Sequence, residues 1–107
     1  MIAIVSDIHA NLEAFQAVHA DLRQRGCQRI FFLGDIVGYG PNPAEVLDFI
    51  KHFEFCLLGN HDEACLKGPQ VKFNEMAQRA TWWTRSQICP DELEMSFLRP
   101  GLLQQRK

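Results

Sequence analysis

Apolar residues recur at two different spacings along the chain, and the alternation between these spacings predicts an α/β fold. Short apolar runs, typical of buried strands, occupy residues 2–5, 28–33 and 53–58. Apolar residues at helical spacing occupy residues 12–25, 43–52, 74–87 and 90–98. Because the three predicted strands alternate with helices, we expect three parallel strands joined by crossover helices.

Residues at the ends of these segments support the helix boundaries. Asn11 and Asn42 stand at the N-cap positions of the first two helices, and Glu45 occupies the place of a capping-box partner. Gly26 ends the first helix, where a left-handed residue is needed. In the third helix the spacing places Met76, Ala80, Trp83 and Ile88 on one side.

Composition is that of an ordinary soluble protein with a single domain. The 107 residues are 47% apolar and 22% charged, and 11 Lys and Arg against 13 Asp and Glu give a formal net charge of -2. No large basic block and no long apolar run occurs, so the pattern does not indicate nucleic-acid binding, a signal peptide or a membrane span. We expect a cytoplasmic protein whose four cysteines, which form no CxxC pair, are reduced and mostly buried.

Three polar clusters directly follow the predicted strands: Asp7-Ile8-His9, Gly34-Asp35 and Gly59-Asn60-His61-Asp62. Because parallel strands point the same way, the clusters are expected to meet at the carboxyl edge of the sheet, where open α/β sheets bind ligands. Carboxylates, imidazole and an amide oxygen suit divalent manganese, iron or zinc. A pair of such ions about 3.5–4 Å apart clamps a phosphate and activates water, so the clusters predict a two-metal hydrolytic site.

The order of these clusters is similar to the first three motifs of the calcineurin-like metallophosphoesterases. The strings SDIHANLEAF, LGDIVGYGPNP and LLGNHDEA resemble a bacterial and archaeal phosphodiesterase and phosphatase-like subgroup. The string FNEMAQRATWWTRSQ resembles a helical segment of the same subgroup, so the likeness covers about residues 1–98. The resemblance implies the first layer of an αββα sandwich that hydrolyses phosphomonoesters or phosphodiesters through a binuclear metal centre.

The resemblance also implies a role for each motif residue. Asp7 and His9 are expected to ligate the first metal ion, and Asp35 to bridge both ions. Asn60 is expected to ligate the second ion. His61 is expected to lie over the phosphate, as the acid for the leaving group or as a stabiliser of the transition state.

The chain departs from the family in its length and its histidines. Family members are longer and supply further His ligands from later Gly-His-type motifs, whereas the other histidines here, His19 and His52, follow no predicted strand. The four expected ligands make about five bonds to metal, roughly half of what two ions need. We therefore expect a truncated domain over residues 1–107. The alternative to an enzyme is an inactive remnant that serves at most as a binding module, and a third possibility is that an oligomer or second chain completes the site.

Several residues near the clusters have more than one interpretation. Asp62 is expected only to orient its neighbours or to cap the following turn. We interpret Gly40 as an ordinary turn glycine and Gly34 as a position of close approach, and Tyr39 as a loop residue or a residue lining the substrate cleft. The two tryptophans are interpreted as core residues. The loop after residue 33 lacks the Gly-Lys-Ser/Thr ending of a P-loop, and the sequence indicates neither the substrate nor the metal.

Overall fold

A single parallel sheet organises the chain in a computed structural model, which describes residues 1–97 and 103–106 except for the side chains of residues 50, 51 and 103–106. Its strands, in order across the sheet, are β1 (Ile2–Val5), β2 (Arg29–Phe32), β3 (Phe53–Leu58) and β4 (Leu103–Arg106). All neighbouring pairs are parallel, which confirms the three predicted strands and their direction. β4 was not predicted, because its sequence Leu-Gln-Gln-Arg lacks the apolar run that marks a buried strand.

The helices in the described residues are α1 (Leu12–Gln24), α2 (Pro43–Leu47), α3 (Asn60–Lys67), α4 (Glu75–Gln87) and α5 (Pro90–Phe97). The helices predicted at 12–25 and 74–87 are thereby confirmed, and the helix predicted at 90–98 is confirmed as far as Phe97, since residue 98 lies outside the described residues. The segment predicted as a helix over 43–52 is α-helical only in α2 and continues as a 3₁₀ helix, Asp48–His52. α3 was not predicted. None of the described helices combines the length and the apolar character needed to cross a membrane.

Two of the three asparagine caps hold side-chain hydrogen bonds to the helix. The Oδ1 atom of Asn11 accepts from the Ala14 amide at 3.1 Å, and that of Asn74 accepts from the Ala77 amide at 2.8 Å. The capping box predicted for Asn42 is wrong, because its Nδ2 instead donates to the Glu45 carboxylate at 3.0 Å and its side chain caps no backbone amide.

One face of the sheet is buried and the other is largely open. Ile30, Phe32, Cys56 and Leu58 are at most 3% exposed, and they share a core with helix residues that include Phe15, Val46, Leu93 and Phe97. On the opposite face Ile2 and Ile4 are 48% and 69% exposed, and Phe31 and Phe55 are only partly buried. The described chain is therefore one sheet with its helical layer on the buried face, as expected for the first layer of the sandwich.

The buried face of α4 differs from the predicted one. Trp82 and Trp83 are 56% and 42% exposed, so their prediction as core residues is wrong. On the side that the spacing assigned to Met76, Ala80, Trp83 and Ile88, Met76 is 73% exposed and only Ile88 is buried. Ala77, Thr81 and Thr84 are buried instead. The hydroxyls of both threonines donate to backbone carbonyls one turn earlier, at 2.8 and 2.9 Å, so these small side chains can be buried without losing a hydrogen bond.

All four cysteines are free thiols, and three of them are buried as expected. Cys89 is exposed. Burial raises the pKa of Cys56 and of Cys65 to about 12, and the nearby carboxylate of Asp62 adds to both shifts. Thiols with such pKa values stay protonated near neutral pH and are poor nucleophiles and poor metal ligands.

Candidate metal centre

The loops that follow β1 and β2 run side by side past the ends of their strands. The amide of Asp7 donates to the Gly34 carbonyl at 2.9 Å, and the amide of His9 donates to the Asp35 carbonyl at 3.0 Å. These bonds continue the pairing of β1 with β2 beyond Val5 and Phe32. Two of the predicted clusters are therefore fixed against each other by the backbone alone.

This pairing brings the side chains of Asp7, His9 and Asp35 together. Each of the three offers one ligand atom, and these atoms all lie within 4.8 Å of one another. Asp35 is only 4% exposed, whereas the Asp7 side chain is exposed, so the cluster opens from the protein interior toward solvent. The cluster contains carboxylate and imidazole donors, the mixed oxygen and nitrogen set that suits divalent manganese, iron or zinc.

The imidazole of His9 is oriented as metal-binding histidines usually are. Its Nδ1 lies 3.2 Å from the Val37 carbonyl oxygen, and its Nε2 lies 3.4 Å from Oδ1 of Asp7. A proton on Nδ1 that is donated to the carbonyl leaves the Nε2 lone pair facing the Asp7 carboxylate. Histidine ligands commonly donate their second N–H to a backbone carbonyl in this way. The residues present therefore fit a divalent cation between Asp7 and His9.

Backbone strain is concentrated in the same two loops. The non-glycine residues with positive φ in the described chain are Asp7 (57°), His9 (49°), Ala10 (57°), Asp35 (64°) and Tyr39 (63°). Left-handed conformations at such residues cost of order 1 kcal/mol or more each, and they cluster at functional sites. Three of these five residues, Asp7, His9 and Asp35, form the cluster whose ligand atoms converge.

Asp62 anchors the loop that carries Asp35. Its carboxylate is fully buried and accepts four backbone N–H groups, from Asp35 (2.7 Å), Ile36 (2.9 Å), Val37 (3.1 Å) and Gly59 (3.0 Å). The pKa of Asp62 is raised to about 7, chiefly by burial. The hydrogen bonds from Val37, Gly59 and Asp35 oppose this rise. The expected role of Asp62 in orienting its neighbours is thus correct, but the sequence did not predict that it accepts four backbone hydrogen bonds. The Gly-x-x-Asp spacing, which is that of an N-cap and its partner at the third helical position, is the signal for α3 and for this role.

Two glycines allow the loops to pack this closely. A Cβ atom on Gly59 would lie 2.1 Å from Oδ1 of Asp35, and a Cβ atom on Gly40 would lie 2.0 Å from the carbonyl oxygen of His9. The interpretation of Gly40 as an ordinary turn glycine is therefore wrong, and the close approach at Gly59 was missed. Gly34 has a φ of 108°, a backbone conformation that favours glycine.

The third cluster enters the site through the start of α3. The amide of His61 donates to Oδ1 of Asp35 at 2.9 Å, and the two imidazoles of His61 and His9 are 5.0 Å apart between ring centroids. The pKa of His61 is lowered, chiefly by burial. The charges of Asp35 and Asp7 oppose this shift, and the charge of His9 adds to it. Asn60, whose side chain is exposed, lies between His61 and Gly59, which both contact the Asp35 carboxylate.

The remaining histidines lie away from this cluster. His19 and His52 contact each other at 4.8 Å between ring centroids and also contact Phe49. They line a separate cavity of about 300 Å³, together with Cys27 and Gln28 before the start of β2. In the described part of the chain, His9 is therefore the imidazole of the cluster and His61 the imidazole beside it.

Comparison with known proteins agrees with this geometry. The sequence pattern of the calcineurin-like phosphoesterases (Metallophos) matches residues 1–97. The uncharacterized protein MJ0912 of Methanocaldococcus jannaschii is 42% identical over 108 residues, which cover 98% of this chain and 44% of that protein. The crystal structure of a metallophosphoesterase from Sphaerobacter thermophilus has 38% identity and a TM-score of 0.71, covering 92% of this chain and 40% of that one. The chain spans less than half the length of each of these two relatives. By its motifs, its sheet and these likenesses, the chain belongs to the calcineurin-like phosphoesterase family.

Proposed function

We propose that this chain takes part in the metal-dependent hydrolysis of phosphomonoesters or phosphodiesters. The observation that carries the proposal is the convergence of Asp7, His9 and Asp35, whose ligand atoms lie within 4.8 Å of one another on a strained backbone. The family implies divalent metal ions and phosphoester substrates, and the donor set of the cluster suits such ions.

Each member of the cluster has a proposed role. Asp7 and His9 hold one ion, because the Nε2 and Oδ1 atoms that face each other at 3.4 Å can share a cation. Asp35 bridges to a second ion, since it is the buried carboxylate at the middle of the three clusters. Asn60 contributes its amide oxygen to that second ion. Bound there, a pair of divalent manganese, iron or zinc ions would polarise the phosphoryl group and make water more acidic.

His61 is the proposed general acid. Its backbone is tied to Oδ1 of Asp35 at 2.9 Å, so its imidazole is held next to the cluster without being needed as a ligand. A Cβ atom on Gly38 would lie 3.3 Å from Nδ1 of His61, so this nitrogen is packed against the loop. Nε2 is therefore the atom from which a proton would pass to the leaving oxygen of the substrate.

The proposed ligands make only about five bonds to two ions, roughly half of what these ions need. The two relatives described above are more than twice as long as the segment they share with this chain. We propose that the missing ligands come from further sequence of such a protein or from a second chain. Without them, the chain acts as a metal-binding module with little or no turnover.

The proposal is tested by measuring metal binding and turnover on the same samples. Mn²⁺ binding is followed by calorimetric titration, and turnover is followed with p-nitrophenyl phosphate and bis(p-nitrophenyl) phosphate. Asp35→Asn is expected to abolish Mn²⁺ binding, whereas the matched control Asp21→Asn, at an exposed position of α1, should leave it unchanged. Failure of the unmodified chain to bind Mn²⁺ would overturn the metal site. Binding with turnover no greater than that of Asp35→Asn would leave only the binding module.

A further inference from the structure

Four aromatic rings form a continuous group on one side of the candidate metal centre. The Tyr39 ring lies 5.3 Å from that of His9 and 4.8 Å from that of His61, measured between ring centroids. Phe73 stacks on His61 at 4.8 Å between ring centroids, with an angle of 30° between the ring planes. Phe73 precedes α4, and Tyr39 belongs to the loop after β2, so separate parts of the chain build this group.

Tyr39 is the most exposed member of the group although it touches both site histidines. The residue is 44% exposed, whereas His9, His61 and Phe73 are partly buried. A ring that served only to fill the space around His61 would gain more from burial, because transfer of aromatic area from water is favourable. The exposed surface of Tyr39 therefore remains available to a ligand at the centre.

The backbone holds Tyr39 in place at a conformational cost. Its φ is 63°, which is a genuine outlier for a bulky residue. The flanking glycines are pressed against the two histidines: a Cβ on Gly38 would lie 3.0 Å from Cβ of His61, and one on Gly40 would lie 2.0 Å from the His9 carbonyl oxygen. Glycine at position 39 would remove the strain, so the presence of tyrosine requires a gain from its ring.

We infer that Tyr39, supported by the His61 and Phe73 rings, forms an aromatic platform that stacks on a flat group of the substrate. The inference rests on the proposed function, and it narrows the substrate class to aryl or nucleoside phosphoesters, as opposed to sugar, glycerol or other alkyl phosphates. Every base and every aryl group has a π-face that can stack on tyrosine, and such stacking stabilises complexes without base-specific hydrogen bonds.

The test compares ligands in pairs, one with a flat group and one without it. AMP and ribose 5-phosphate are titrated calorimetrically into the chain, with and without Mn²⁺, and phenyl phosphate is compared with glycerol 2-phosphate in the same way. AMP is expected to bind about tenfold more tightly than ribose 5-phosphate, within the range of base–aromatic stacking. Tyr39→Gly should reduce this preference to less than about twofold, and Tyr39→Phe, which keeps the ring, should retain it.

Controls separate stacking from a structural role. Tyr39→Gly suits the left-handed backbone, so its thermal midpoint should stay close to that of the unmodified chain. Trp83→Ala removes an aromatic ring of similar exposure (42%) from α4 and should leave the preference unchanged. A preference shared by phenyl phosphate supports a general aryl platform, and a preference confined to AMP supports a nucleoside one.

The inference is overturned if neither AMP nor phenyl phosphate is preferred over its alkyl counterpart, if AMP binding is undetectable, or if the preference survives Tyr39→Gly. The Mn²⁺ titration distinguishes this result from a failure of the proposed function. Mn²⁺ binding without a preference for flat ligands contradicts the platform alone, whereas a preference without Mn²⁺ binding contradicts the metal site alone.

Discussion

The backbone amide of Asp35 donates a hydrogen bond of 2.7 Å to the carboxylate of Asp62, which lies in the first turn of α3. The same carboxylate accepts the amide of Gly59, so it links the loop after β2 to the start of α3. Asp35 in turn accepts the amide of His61 at 2.9 Å. Each of the two carboxylates therefore accepts a hydrogen bond from the segment that carries the other, and Asp62 fixes the position of a central residue of the candidate metal centre without any proposed contact with metal.

Asp62→Asn should destabilise the chain strongly. Each Asp62 oxygen accepts two backbone N–H groups, and an amide would point its own N–H donors at two of these four donors. We expect a loss of about 2–4 kcal/mol in the free energy of unfolding, the usual result of leaving buried donors unpaired. Urea denaturation measures the change. The matched control is Asp21→Asn, an exposed position, which should stay within about 0.5 kcal/mol; equal losses in both variants would contradict the anchoring role.

Gly59→Ala should weaken both the fold and metal binding. The new methyl group would lie 2.1 Å from Oδ1 of Asp35, so the carboxylate or the start of α3 must shift. We expect a cost of about 1–3 kcal/mol from overpacking and a Mn²⁺ affinity lower by at least about tenfold.

Gly26→Ala provides the matched control for this substitution. Gly26 has a φ of 76° and no atom within 4 Å of an added Cβ, so alanine there meets only the cost of the left-handed backbone, about 1 kcal/mol. Its Mn²⁺ affinity, measured in the same calorimetric titration, should equal that of the unmodified chain. Similar affinities for the Gly59 and Gly26 variants would show that Asp35 is not held in place by this contact.

Divalent metal should stabilise the folded chain, and its removal should reverse the effect. A ligand that binds only the folded state at a concentration of 100 times its Kd adds about 2.7 kcal/mol to the free energy of unfolding. For a chain of this size, thermal denaturation should show a rise of about 10 °C or more with saturating Mn²⁺, and EDTA should abolish the rise. Asp35→Asn should melt at the same temperature with and without Mn²⁺. A shift that persists in this variant would place the bound metal elsewhere.

The sequence was most informative where one physical signal acts alone. The apolar runs of β1 to β3 and the polar residues directly after them were enough to predict the convergence of Asp7 and Asp35, because parallel strands end at a common edge. The contacts that hold this site together could not be predicted. The three bonds from the loop after β2 to Asp62 and the close approach of Gly59 to Asp35 depend on the distance between two segments, which no local pattern encodes.

The errors on α4 and β4 have a related origin. Met76 and Trp83 follow a helical apolar pattern, yet Thr81 and Thr84 are buried in their place, and their hydroxyls stay hydrogen-bonded to the helix backbone. Periodicity measures apolar character and does not register a polar group satisfied within its own helix. The pairing of β4 with β3 is likewise a long-range contact, and its residues carry no apolar run.

Adjacent phenylalanines on β2 allow the two faces of the sheet to be compared directly. Phe32 is fully buried and stacks on Phe53 at 5.0 Å, so Phe32→Ala should cost about 3–5 kcal/mol in urea denaturation. Phe31 is partly exposed on the open face, with Phe55 at 5.8 Å and the Arg29 guanidinium 5.8 Å from its ring centre. Phe31→Ala should therefore cost only about 1 kcal/mol. If both substitutions cost the same, the open face of the sheet must be covered in solution, because only a buried phenylalanine loses that much on truncation. A dependence of the Phe31→Ala cost on protein concentration would then identify a second copy of the chain as the cover.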